Sequence, residues 1–143
     1  TLEAAMIIGR DGAIIHEHTP AGRTAVSFPE TQEQDDSGSL WRRIWENRER
    51  VAGVAHSHPA GCDGPSYEDL TTFAAVEDGL GTRLSWWILT PILIGNGIYV
   101  TESYWTGPDR LDYSTRLAAL PRWAFRLCEI SNIEVRRNEH GRT

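Results

Sequence analysis

Four side chains able to do chemistry lie close together in this chain: His56, His58, Ser66 and Asp69. The two imidazoles close a short apolar run, Val51 to Ala55, which reads as a buried strand. Residues two apart on a strand point to the same side, so both rings can face one point in space. Gly61, Asp63, Gly64 and Pro65 then form a turn segment, and Ser66 and Asp69 open what reads as a helix. Two imidazoles and a carboxylate make three ligands for a first-row metal, with a fourth position open to water. That is the ligand set of a hydrolytic zinc centre.

Each residue also has an ordinary reading. A histidine at a strand end is most often a surface or packing residue. Ser66-x-x-Asp69 is also the sequence of a capping box, with the serine at the N-cap and the acid at N3. Capping accounts for that pair but not for His56-Ser57-His58-Pro59 just upstream, nor for the short glycine-rich loop that returns the helix start to the strand end. Both readings can hold together, because a helix start fixes its first-turn residues. His16 and His18 repeat the two-residue spacing, but no carboxylate follows them at a matching helix start, and they are expected to be solvated strand-end residues. Cys62 and Cys128 are too few for a disulfide framework, and Cys62 is close enough in sequence to the ligands to be a spurious fourth one.

Taken together, His56-Ser57-His58-Pro59, six residues, Ser66, two residues and Asp69 form the H-x-H-P-x6-S-x2-D pattern. On this pattern the chain resembles the JAMM metalloprotease family, also called JAB or MPN+. By the order of its elements the resemblance covers residues 1 to 105 or so. It implies an α+β fold, a curved mixed β-sheet flanked by helices, with Zn2+ held by His56, His58 and Asp69. It further implies an isopeptidase that cleaves after the C-terminal glycine of ubiquitin or a ubiquitin-like modifier, with Ser66 hydrogen-bonding the oxyanion. The size resembles a prokaryotic stand-alone JAB protein more than a proteasome or signalosome subunit. The implied partners are then a ubiquitin-like modifier, its conjugates, and E1-like and E2-like proteins; a place in antiphage defence follows by association alone.

The resemblance also calls for a general base, a glutamate on the first core strand seven residues before a glycine that closes an apolar run. Glu3 precedes Gly9 by only six, and strict counting puts Leu2 there. A one-residue slip turns a strand side chain to the wrong face. Glu3 serves if the strand carries a bulge, if the chain enters from a helix, or if Gly9 is the wrong anchor. Glu17, Glu46 and Glu49 are the alternatives, although Glu17 reads as part of a polar strand end and the other two as a charged helix face. A chain without any base would be a catalytically silent zinc-binding module that docks a modifier. A zinc deaminase would need a P-C-x-x-C element, which is absent, and a thiol protease built on Cys62 lacks an orienting partner.

The elements that must position these residues follow from periodicity. Glu3 to Ile8, a turn at Gly9 to Gly12, and Ala13 to Ile15 read as a β-hairpin. A further strand is expected over Thr24 to Phe28, and residues 29–39 form a polar, exposed loop. Leu40, Trp41, Ile44, Trp45 and Arg48 recur at helical spacing after Ser37 and Ser39, with the two tryptophans expected to supply much of the buried area. The second helix carries Leu70, Phe73, Ala74 and Glu77 on one side and ends near Gly79 or Gly81. Leu84 to Thr90 reads as an inner strand and Ile98 to Trp105 as the next. Leu117 and Leu120 read as a helical piece, and Trp123, Leu127 and Ile130 as one face of another. Residues 136–143 read as a frayed tail.

With 143 residues and 40% hydrophobic content, the length prior gives one domain with a real core. A net charge of -6 and no long basic run argue against nucleic acid. No stretch approaches the length of a membrane span and no secretory signal is visible, so a cytoplasmic location is expected.

Overall fold

The computed structural model describes residues 3–19, 40–92, 95–109 and 112–135. Six strands form one sheet: β1 (Ala5–Gly9), β2 (Ile14–His18), β3 (Val51–Ser57), β4 (Ser85–Pro91), β5 (Ile98–Trp105) and β6 (Tyr113–Ala118). Their spatial order is β2-β1-β3-β4-β5-β6. Only β3 and β4 run parallel, and the other neighbours are antiparallel. Parallel neighbours need a crossover, here supplied by α2 (Tyr67–Leu80). The other helices are α1 (Leu40–Glu46) and α3 (Trp123–Ile130). The fold is α+β with a mixed sheet and helices on both faces, as expected.

Side-chain alternation divides the core into two layers. Met6, Ile8, Ala55, Leu89 and Val100 face α3, where Trp123, Ala124 and Leu127 cover them. Ala5, Ile7, Val54 and Trp86 face α1 and α2, where Leu40, Ile44, Phe73 and Val76 cover them. Val51 and Val54 lie in the same layer despite their odd spacing, because the β1–β3 register shifts between Ile8 and Gly9. Beyond that irregularity the register is regular up to Ala5 opposite His56. Gly53 lies against β4 with no room for a side chain: a Cβ there would strike the Ser85 carbonyl and the Trp87 ring.

Three expectations are corrected. In α1 the buried residues are Leu40 and Ile44. Trp41 packs at the edge of the layer against Gly79, and Trp45 is exposed beneath the Arg48 guanidinium, 4.1 Å from its ring. Leu117 and Leu120 do not mark a helix: residues 113–118 form edge strand β6, with Leu117 exposed on it. The free edge of β5 takes up the backbone groups of this segment from Tyr113 to Ala118, and that pairing overrides a weak two-residue helical spacing. His16 and His18 are half-buried on β2 rather than solvated, on the face that carries Ala5 and His56. Burial and the charge of Arg43 lower the pKa of His16. The expected strand over 24–28, the loop over 29–39, its capping serines and the tail over 136–143 lie outside the described residues. Among the described residues no helix is long and apolar enough to cross a membrane.

Candidate metal centre

β3 delivers the two histidines. His56 is its penultimate residue and His58 follows its end, where the His58 amide still donates to the Leu89 carbonyl of β4. Both side chains therefore point to the α2 face, and Ser57 between them points to the other. Each histidine is buried, 8% exposed. Their Nε2 atoms lie 3.0 Å apart, with the rings edge to face.

α2 delivers the carboxylate. Ser66 is its N-cap: the Asp69 amide donates to Ser66 Oγ at 3.0 Å, and the Ser66 amide donates to Asp69 Oδ2 at 3.0 Å. The capping box is complete and orients Asp69 toward the strand end. Asp69 Oδ2 lies 3.2 Å from His58 Nε2, and Oδ1 lies 3.7 Å from His56 Nε2. Gly61 and Gly64 adopt positive φ, which lets the intervening loop turn back within a few residues.

The donor set fits a divalent cation. His56, His58 and Asp69 each offer one ligand atom, and these atoms lie within 4.8 Å of one another. Ligands at zinc-type bond lengths in a tetrahedron are separated by ~3.3 Å, close to the 3.0, 3.2 and 3.7 Å between the nearest ring nitrogens and carboxylate oxygens of these three side chains. The His58 Nδ1–H donates to the Cys62 carbonyl at 3.1 Å, so it is Nε2 that faces the site and, once deprotonated, offers its lone pair there. Among the described residues this is the one group of its kind.

The electrostatics match a site for positive charge. Burial pushes the Asp69 carboxyl up, but hydrogen bonds accepted from the His56 and His58 rings and from the Ser66 amide outweigh it, so the group stays ionised far below the usual carboxylate range. Burial lowers the pKa of His58, yet Asp69, the Cys62 carbonyl and the charge of Glu3 together raise it. A metal ion placed between these groups takes over the role of the proton.

Glu3 is positioned by the register. Ala5 pairs with His56, the Ala4 amide donates to Ser57 Oγ at 2.9 Å, and the Ser57 amide donates to the Ala4 carbonyl. Continued one residue, this pairing sets Glu3 opposite His58 on the same face, half-buried. The register shift between Ile8 and Gly9 leaves Ala52 of β3 unpaired and adds no residue to β1, so Glu3 is placed by its pairing with β3 and not by a count from Gly9. The alternatives lie elsewhere. Glu17 faces the α3 layer and pairs through both oxygens with Arg126, at 2.6 and 2.8 Å. Glu46 and Glu49 are exposed just before β3, at the opposite end of the strand from the histidines. The Cys62 side chain is exposed and outside the ligand group, and neither cysteine is in a disulfide.

Sequence reasoning missed three supporting groups. The Cys62 carbonyl has no sequence signature. Ser57 was legible only as the small polar residue between the histidines, although its hydroxyl bonds both the Ala4 amide and, at 2.8 Å, the Ser131 hydroxyl. Glu77 was expected on the inner side of α2, but not its partners, described below.

None of the curated proteins compared with the chain is similar enough to count as a match. The family model of prokaryotic homologues of the JAB domain matches residues 3–105, from Glu3 through the histidines and Asp69 to the end of β5. That match covers well over half of the chain, and the His-His-Asp group supports a metal-dependent hydrolase of the JAMM type. By fold, site and sequence, the chain belongs to the family of prokaryotic homologues of the JAB domain.

Proposed function

We propose that this protein is a zinc-dependent isopeptidase that cleaves after the C-terminal glycine of a ubiquitin-like modifier. The observation that carries the reading is the pairing that brings Glu3 beside His58 on the face where His56 and Asp69 converge. A divalent zinc ion held by His56, His58 and Asp69 supplies Lewis acidity, activating water and polarising a carbonyl. Glu3 accepts the proton of the attacking water and returns it to the leaving amine. Ser66 donates its hydroxyl hydrogen to the developing oxyanion. Capping does not compete with this role, because the cap uses Ser66 Oγ only as an acceptor for the Asp69 amide and leaves its O–H free to donate.

The substrate must reach the site extended. β2 is a sheet edge one strand beyond β1, and its residue His18 lies in line with Ala5 and His56, which supports docking of a modifier tail by strand addition. Glycines at the end of that tail bring no side chains into a narrow approach. The conjugates cleaved are then those assembled by E1-like and E2-like proteins in the cytoplasm.

The test is cleavage of a linear modifier fusion, with the scissile bond after the terminal glycine. The native zinc-loaded protein should cleave it, chelation should abolish cleavage, and Glu3→Gln should bind zinc with native affinity while kcat falls by about 10²–10⁴-fold. Capture of the modifier by the zinc-loaded native protein without any cleavage would replace this reading with that of a silent docking module.

A further inference from the structure

We infer that Glu77 is a positioning residue for the metal centre: its buried carboxylate locks α2 onto the sheet so that Asp69 reaches the two histidines. The inference rests on the metal-centre reading above and concerns how this chain builds that centre.

Glu77 is an acid almost fully buried in the α2 layer, 4% exposed. Its two oxygens accept four hydrogen bonds. Oε2 takes the Leu84 amide at 2.9 Å and the Trp86 indole Nε1–H at 2.9 Å. Oε1 takes the Trp105 indole Nε1–H at 2.6 Å and the Tyr113 hydroxyl at 3.0 Å. The donors come from the loop after α2 and from β4, β5 and β6, so a single carboxylate is tied to three strands at once. The same contact shows at the phenol, whose pKa is raised by burial and by the Glu77 charge.

Asp69, Phe73 and Glu77 follow one another at intervals of four and form one stripe along α2. Asp69 meets the histidines. Phe73 stacks on Trp86 at 4.2 Å between ring centroids and stands edge-on to His56 and Tyr113 at 6.3 and 5.9 Å. Glu77 closes the stripe about 12 Å from Asp69, at 1.5 Å per residue. Apolar contacts tolerate sliding of a helix far better than hydrogen bonds do, whereas ligand atoms must lie within ~0.2 Å of their bond lengths. The loop that leads into α2 contains Gly61 and Gly64 and is too permissive to set that position alone. A helix held at one end by four directed hydrogen bonds has its rotation and its axial position fixed at the other.

The test is titration of the metal-free protein with Zn2+ against a chromophoric chelator, with circular dichroism recorded on every variant. Glu77→Gln turns an NH2 group toward donors and should weaken zinc binding by about 10–100-fold, as loss of a group supporting a ligand does. Trp105→Phe and Tyr113→Phe each remove one donor, should weaken it less, and serve if Glu77→Gln does not fold. Leu127→Ala, a core truncation in the opposite layer, should leave the zinc dissociation constant within about twofold although it destabilises the fold. Folded Glu77, Trp105 and Tyr113 variants with native zinc affinity would overturn the inference, as would an equal loss in Leu127→Ala. Failure of the native protein to bind zinc would instead remove the metal centre itself.

Discussion

Replacing Ser57 by alanine tests the join between the first strand and the metal centre. Ser57 and Ser131 are fully buried, and the Ser57 hydroxyl accepts from the Ala4 amide at 2.9 Å while bonding the Ser131 hydroxyl at 2.8 Å. The alanine variant leaves a buried amide without this acceptor, which costs about 1–3 kcal/mol, and removes one net hydrogen bond of about 1 kcal/mol at Ser131. The sum, about 2–4 kcal/mol, is a large part of the 5–15 kcal/mol typical of a domain. With a urea m-value of about 2 kcal/mol/M, the unfolding midpoint should fall by about 1–2 M. The site should respond selectively. His56 and His58 keep their strand and Asp69 its cap, so zinc affinity should change little. Glu3, one residue from a tether it has lost, should be displaced enough to lower kcat by up to about 10²-fold. A midpoint shift below about 0.3 M, or a loss of zinc affinity as large as the loss of kcat, would refute the reasoning.

Ser66→Ala separates two roles by size: losing the cap should cost ~1 kcal/mol in denaturant unfolding, while losing an oxyanion donor should lower kcat by about 10²–10³-fold at unchanged zinc occupancy. A native kcat would leave the serine only its cap. The pH dependence of the metal-free protein follows from opposite shifts. Asp69 is depressed, so its contribution is present above its ordinary value of 3.8 and is lost as pH falls through the folded value. His58 is raised, so its contribution is complete below 6.5 and is lost as pH rises through the folded value. Thermal scans should therefore show the pair at its most stabilising between those two values, whereas zinc affinity should rise steadily through neutrality as the proton leaves His58. A metal-free Tm that keeps climbing above pH 7 would contradict the assignment. Gly53→Ala should destabilise the fold by more than ~2 kcal/mol in the same scans, because the added methyl has only the Ser85 carbonyl and Trp87 ring to displace.

Much of the site was legible because its ligands are local in sequence. A strand period of two set His56 and His58 on one side, and a capping box fixed where α2 starts and which way Asp69 points. Long-range placement was not legible. The place of Glu3 beside the histidines follows from the pairing of Ala5 with His56, a long-range register that no count made along the chain supplies. Residues 113–118 went wrong for the same kind of reason, as their strand state depends on the free edge of β5 rather than on their own pattern. The burial of Glu77 was visible in its helical phase, but its four donors are drawn from positions up to 36 residues away.

By itself, then, the sequence determined the ligand set, the helix that presents Asp69 and the alternation that divides the core, all of which rest on periods and caps spanning a few residues. The tertiary structure decided which glutamate stands beside the histidines, which hydroxyl tethers it, and what holds α2 in place. Those outcomes depend on strand register and on hydrogen bonds between distant segments, and no local pattern encodes either.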